Sequence, residues 1–219
     1  MKCVIFDMDD TLIDSAKAIC ETVNEVRREL GLEGDLAAEF IVKAINEPGR
    51  NLGLDFYGID KPDMKLRDNF EAKFKKNYRE YAAAYEDVEG LLAGLKEAGH
   101  FVALASNAPR YTLDEILQRS GIFKFFDLIV GADENVPQKP DPAMLNLILK
   151  SGEFDKAIFV GDSKKDELAA RNADMKYLNV CWGFGSESPS CNNIFTVAKA
   201  ALYIRKKDLS FTILPNPSP

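Results

Sequence analysis

Lys2-Cys3-Val4-Ile5-Phe6 runs straight into Asp7-Met8-Asp9-Asp10-Thr11-Leu12. The first run is short, apolar and β-branched, the pattern of a strand buried on both faces of a parallel sheet. That reading puts Asp7 at the strand's carboxyl end, the edge at which open α/β sheets place their ligands. Two carboxylates at i and i+2, followed by a hydroxyl at i+4, repel one another unless something cationic stands between them, and a helix cap needs only one of them. Taken alone, the stretch also reads as a strand followed by an acidic turn. The rest of the chain decides between the two.

At 219 residues, 46% of them apolar and 29% charged, the chain can hold one ordinary core and a smaller inserted domain. Its formal charge of −7 argues against a nucleic-acid partner. Cys3, Cys20, Cys181 and Cys191 show no Cys-x-x-Cys spacing, and Cys3 lies inside the expected buried strand. Reduced thiols are the simpler reading, with neither a disulfide framework nor a zinc site. Met1 leads directly into the first strand, so no signal peptide is expected, and no apolar run approaches the ~20 residues of a spanning helix. The expectation is a cytoplasmic monomer or homodimer without a membrane partner.

After Thr11 the pattern turns helical: Ala16, Ile19, Cys20, Val23, Val26 and Leu30 form one apolar stripe that Gly31 stops. A second segment, Leu36 to Ile45, ends at Glu47-Pro48-Gly49-Arg50, and a glycine-rich loop follows through Gly53 and Gly58. Leu66, Phe70, Phe74 and Tyr78 then recur every fourth residue as the core stripe of a long charged helix. Helices without a strand, between flanks of α/β character, predict an inserted helical cap over 15–81. The core is expected over 1–14 and 82–208, with a proline-rich tail at 209–219.

Beyond the cap, four more apolar runs read as strands: Phe101 to Ala105, Asp127 to Val130, Ala157 to Val160 and Tyr177 to Val180. Helices are expected between them, one opening on a Thr112-Leu113-Asp114-Glu115 capping box and one on Asp141 and Pro142. The last strand runs on into Trp182-Gly183-Phe184-Gly185, and a final helix is expected from Phe195 to Lys206. The fold class is therefore α/β, a doubly wound, parallel, five-stranded, Rossmann-like sheet with a helical insertion. His100, the only histidine, falls at the start of its strand, the wrong end for catalysis.

In such a sheet all carboxyl ends share one edge, so Asp7, Ser106, the Lys139 loop and Asp162 can meet. Asp7, Asp9, Asp162 and Asp166 together would crowd negative charge into one cleft, which a hard divalent cation, magnesium by preference, relieves. With Lys139 and the Thr11 and Ser106 hydroxyls added, these are the groups that hold a tetrahedral dianion while a carboxylate attacks it.

These residues resemble the haloacid dehalogenase superfamily of phosphohydrolases. Its motifs are matched by Asp7-Met8-Asp9-Asp10-Thr11, by Ser106-Asn107, by Lys139-Pro140-Asp141-Pro142 and by Gly161-Asp162-Ser163-x-x-Asp166, over nearly all of 1–185. The helical insertion is similar to the small cap of the phosphoglycolate phosphatase and β-phosphoglucomutase branch. The resemblance implies Asp7 as a nucleophile that becomes phosphoaspartate and Asp9 as general acid and base. It also implies magnesium held by Asp7, the Asp9 carbonyl and Asp162, with Asp166 in support, and phosphate held by Thr11, Ser106, Asn107 and Lys139. A small-molecule phosphate monoester of phosphoglycolate, sugar-phosphate or nucleotide type is the implied substrate.

Two positions depart from the family's pattern. Asp10 and Asp174 stand where glycine is often found, and Asp10 reads as a solvated turn residue. A dehalogenase has no use for Asp9. A phosphomutase shares the same core and differs in how its cap excludes water, while a non-catalytic module has no use for facing carboxylates. Substrate choice is expected from the cap loop at Arg50, whose other reading is a solvated charge.

Overall fold

The computed structural model describes residues 1–183 and 185–205. The expected tail at 209–219 lies outside them. In chain order the first elements are β1 (Lys2–Phe6), β2 (Ile13–Asp14), α1 (Ala16–Glu29), α2 (Ala38–Asn46), α3 (Leu52–Tyr57), α4 (Met64–Tyr81) and β3 (Ala83–Ala84). There follow α5 (Val88–Glu97), β4 (Phe101–Pro109), α6 (Arg110–Arg119), β5 (Leu128–Ala132), α7 (Ala143–Lys150), β6 (Lys156–Gly161) and α8 (Lys164–Asn172). The described chain closes with β7 (Lys176–Val180), β8 (Asn192–Ile194) and α9 (Val197–Arg205). It divides into two compact units, Ile13–Ala83 and the remainder.

The larger unit is built on a six-stranded sheet of order β5-β4-β1-β6-β7-β8, every pairing in it parallel. From β1 the chain moves out through β4 and β5 on one side, then returns to lay β6, β7 and β8 on the other. The direction of winding therefore reverses beside β1, and such a switch point opens a crevice at the carboxyl ends of the strands. Cys3, Val4, Ile5 and Phe6 have no solvent exposure at all. Cys3 and Ile5 join one cluster with Ala103, Phe159, Met144 and Ile148, and the pleat sends Val4 and Phe6 to the opposite face. Burial on both faces, worth about 1.5–3 kcal/mol for a residue such as Ile5, makes β1 the rigid spine of the sheet.

The sixth strand has no apolar signature, because Asn192-Asn193-Ile194 is held by side-chain amides. Asn193 Oδ1 accepts from Asn179 Nδ2 at 2.8 Å and from the Ser188 amide at 2.9 Å, and its own amide donates to the Ser188 carbonyl at 2.9 Å. The expected capping box at Thr112 does not form. α6 starts two residues earlier, after Pro109, and the Thr112 hydroxyl donates back to the Pro109 carbonyl at 2.8 Å. α7 begins at Ala143, whose amide donates to Asp141 at 2.8 Å, so Pro142 precedes the helix.

In the helical unit, Val23, Val26, Ile41, Ala44, Phe56 and Tyr57 form a core against which Leu66 and Phe70 pack. Leu30 leaves the predicted stripe of α1: it sits past the helix end and is 43% exposed. The stretch read as a glycine-rich loop contains α3, which Asn51 caps by accepting from the Leu54 amide at 3.2 Å. Gly53 lies within this helix because a β-carbon there would stand 2.6 Å from the Ile59 carbonyl oxygen. Six residues are too few to show helical periodicity in a sequence.

Asp174 follows α8 with φ 49 and is exposed. This left-handed conformation is the reason glycine suits the position, since a β-carbon costs energy there. Asp174→Gly is expected to stabilise the protein by about 0.5–1 kcal/mol, measured by urea denaturation, without changing activity.

Candidate active site

Asp7 and Asp162 directly follow strands, Ser106 and Asn107 lie within β4, and Lys139 lies in the turn before α7. β1 delivers Asp7, whose amide donates to the Val160 carbonyl of β6 at 2.9 Å. β6 ends at Gly161 and delivers Asp162, and α8 begins two residues later. A true capping box starts α8: the Ser163 hydroxyl accepts from the Asp166 amide at 3.2 Å, and Asp166 Oδ2 accepts from the Ser163 amide and hydroxyl at 3.1 and 2.5 Å. A β-carbon at position 161 would fall 2.8 Å from the Asp166 carboxylate. Only glycine lets β6 end so close to this side chain.

The cap engages one oxygen of Asp166 and leaves the other for Lys139. Lys139 Nζ lies 2.5 Å from Asp7 Oδ1 and 2.6 Å from Asp166 Oδ1, with the lysine 4% exposed. Asn107 holds the lysine's backbone from both sides. Its Oδ1 accepts from the Lys139 amide at 2.7 Å and its Nδ2 donates to the Lys139 carbonyl at 3.1 Å. Asn107 thus belongs to the positioning of Lys139. Ser106, 1% exposed, accepts from the Ala108 amide at 3.1 Å and retains its own hydroxyl proton as a donor. Thr11 is wholly buried, and its hydroxyl donates to Asp162 Oδ1 at 3.0 Å. That bond directs its only proton to a carboxylate.

Carboxylate oxygens of Asp7, Asp162 and Asp166 all lie within 4.8 Å of one another, and all three residues are buried. At an effective dielectric of about 20, each such pair repels by roughly 3 kcal/mol or more. With all three carboxylates ionised, one ammonium would leave two net negative charges in the cluster. Burial first, and then the Asp166 charge, push Asp7 up to about 7 despite Lys139. Burial, Asp166 and Asp7 likewise hold Asp162 well above the carboxylate range. Burial opposes the charge on Lys139, but Asp166 and Asp7 outweigh it and raise its pKa. An all-oxygen donor set with surplus negative charge suits a hard divalent cation.

Asp9 is half-buried beside this cluster, and its charge also raises Asp7. Asp10 is not the solvated turn residue expected: it is 5% exposed with φ 56, and Tyr85 Oη stands 3.5 Å from its Oδ1. The backbone adopts the left-handed conformation that glycine favours, and aspartate is among the few other residues that tolerate it. Lys165, absent from the sequence reading, is half-buried nearby. Burial lowers its pKa, while Asp166 and Asp7 act in the opposite sense. His100 lies under the influence of Lys2 and the amino terminus, at the far end of β1. In the helical unit, Arg50 pairs with Asp55 at 2.8 Å and Glu47 at 3.1 Å.

A parallel sheet that gathers buried carboxylates and a lysine at its strand ends has the layout of a hydrolytic enzyme. The haloacid dehalogenase-like hydrolase family matches residues 4–180. Over 191 residues the chain is 33% identical to a phosphoglycolate phosphatase of Aquifex aeolicus, a match covering 84% of this chain and 86% of that one. A phosphoglycolate phosphatase of Vibrio cholerae is 27% identical over 207 residues, covering 88% and 89%. In fold, a haloacid dehalogenase-like family hydrolase from Streptococcus pneumoniae superposes with a TM-score of 0.78 at 22% identity, covering 93% of this chain and 98% of that one. The chain belongs to the haloacid dehalogenase-like hydrolase family, in its phosphatase branch.

The raised pKa of Asp7 carries a stability consequence. Its folded value lies above the unfolded value of about 3.9, so the folded state holds the extra proton and stability declines as pH rises from about 4 to about 7. Asp7→Asn removes this penalty. In metal-free buffer, the stability of Asp7→Asn relative to wild type is expected to grow between pH 4 and pH 7, as read by urea denaturation in EDTA.

Proposed function

We propose that this protein is a magnesium-dependent phosphatase that hydrolyses a small phosphate monoester through a phosphoaspartyl intermediate on Asp7. The observation that carries this reading is the buried contact of Lys139 with Asp7 beside Asp162 and Asp166. It aligns a carboxylate nucleophile with a fixed cation at a site rich in oxygen ligands. Asp7 and Asp162, with the Asp9 backbone carbonyl, would hold magnesium, and Asp166 would stand alongside. Bound there, magnesium neutralises charge on the phosphoryl oxygens.

In the first step an Asp7 oxygen bonds to phosphorus and the ester oxygen departs with a proton from Asp9. In the second, Asp9 takes a proton from water, whose oxygen bonds to phosphorus and releases inorganic phosphate from Asp7. Lys139 and the Ser106 hydroxyl bind phosphoryl oxygens, Asn107 positions Lys139, and Thr11 supports Asp162. The relatives named for phosphoglycolate favour that ester, with sugar phosphates and nucleotides as the other substrates of this size. Four cysteines without Cys-x-x-Cys spacing suit a cytoplasmic setting, and no described helix is long and apolar enough to cross a membrane. Arg50 is the proposed selector in the helical unit, where release from Glu47 and Asp55 would free it for an anionic substrate group.

Hydrolysis of p-nitrophenyl phosphate should require magnesium and stop in EDTA. Asp9→Asn should lower kcat by about 10²–10⁴-fold, and Asp7→Asn should abolish turnover. Undiminished turnover in Asp7→Asn sinks the mechanism. Across phosphoglycolate, sugar phosphates and nucleotides, Arg50→Ala should reorder kcat/KM while leaving p-nitrophenyl phosphate turnover within about threefold. An unchanged ranking removes Arg50 as the selector.

A further inference from the structure

We propose that Trp182 is a positioning residue for Asp162, acting through Thr11. The inference rests on the metal-dependent reading above and extends it to the segment that follows β7. Trp182 Nε1 donates to the Thr11 carbonyl at 3.0 Å, and the Thr11 hydroxyl donates to Asp162 Oδ1 at 3.0 Å. The two bonds form a relay from a half-buried indole to a buried carboxylate. Both donors are one-directional here. An indole N–H can only donate, and the threonine spends its single proton on Asp162.

Two close approaches bring this segment against the acidic loop. A β-carbon on Gly183 would stand 2.4 Å from Tyr85 Oη and 3.1 Å from the Asp10 carbonyl oxygen. One on Gly185 would stand 2.4 Å from the Val180 carbonyl oxygen and 2.8 Å from Asp162 Cβ. Glycines at both positions let the backbone close on Asp10 and on Asp162 at once, with Trp182 anchoring it to the Thr11 carbonyl. Tyr85 completes the wall: its amide donates to the Leu12 carbonyl at 3.0 Å, and its hydroxyl reaches Asp10. The backbone of Thr11 is thereby held from outside the acidic cluster, and the orientation of Asp162 depends on it. Packing alone would need the ring of Trp182. Positioning needs its N–H.

The test uses the full chain and binding of Mn²⁺, followed through the electron paramagnetic resonance of the free ion. Wild type should bind Mn²⁺ and Asp162→Asn should not; a wild type that fails to bind overturns the metal reading itself and this inference with it. Trp182→Phe keeps an aromatic ring and removes the N–H. Its Mn²⁺ affinity should fall about tenfold, the lower end of the range for partners of metal ligands. Its melting temperature in EDTA should stay within about 2 °C of wild type. Wild-type affinity in Trp182→Phe overturns the proposal and leaves the metal reading intact. Should that variant not fold, the single tryptophan of the chain provides the second measurement. Titration of wild type with Mg²⁺ should shift its emission in step with site occupancy, and unchanged emission at saturation overturns the proposal.

Discussion

The contact between the Lys139 ammonium and the Asp7 and Asp166 carboxylates is the interaction on which the site depends. Three charged groups taken out of water cost several kcal/mol each, and only tight geometry and further hydrogen bonds repay that cost. The fold supplies both. Asp166 is held by its own capping box, Lys139 is held at its backbone by Asn107, and Asp7 directly follows a strand whose last four residues are buried. Because one ammonium faces three carboxylates, the cluster remains short of positive charge, and that deficit is what makes it a place for a divalent cation.

Precision here comes from where regular structure ends. Strands β1 and β6 are neighbours on either side of the point where the winding reverses, so their terminal aspartates emerge together. Gly161, Gly183 and Gly185 each allow a backbone to approach a carboxylate-bearing residue or its loop more closely than any β-carbon permits. Asp10 and Asp174 show the same economy from the other side, as aspartates in left-handed conformations. At position 174 the strain is exposed and isolated. At position 10 it is accompanied by a buried carboxylate and a tyrosine contact.

Much of this protein was legible in the sequence because its signals are local. A four-residue apolar run, Cys3 to Phe6, followed by Asp-x-Asp-x-Thr marks a buried strand and an acidic loop without any tertiary information. The other apolar runs marked a parallel sheet, and their ends named Asp7, Asp9, Asp162 and Asp166 as one cluster, of which Asp7, Asp162 and Asp166 come within 4.8 Å of one another. Where the signal was short or polar it failed. The six residues of α3 and the Asn-Asn-Ile of β8 have no periodicity to read, and the Thr112 capping box gave way to a helix start at Arg110.

The sequence by itself determined the α/β class, the parallel direction of its main strands and the residue types at their ends, since hydrophobic pattern dictates which segments must be buried. Only the tertiary structure decided what each polar group does with its hydrogen bonds. Thr11 turned to Asp162, Asn107 closed on Lys139, and Trp182 reached the carbonyl of Thr11. A side chain's partner is set by distances of a few ångströms across segments far apart in the chain, and no pattern along one strand or helix encodes them. The opening stretch thus announced that charge would be buried, and the fold chose the groups that would share it.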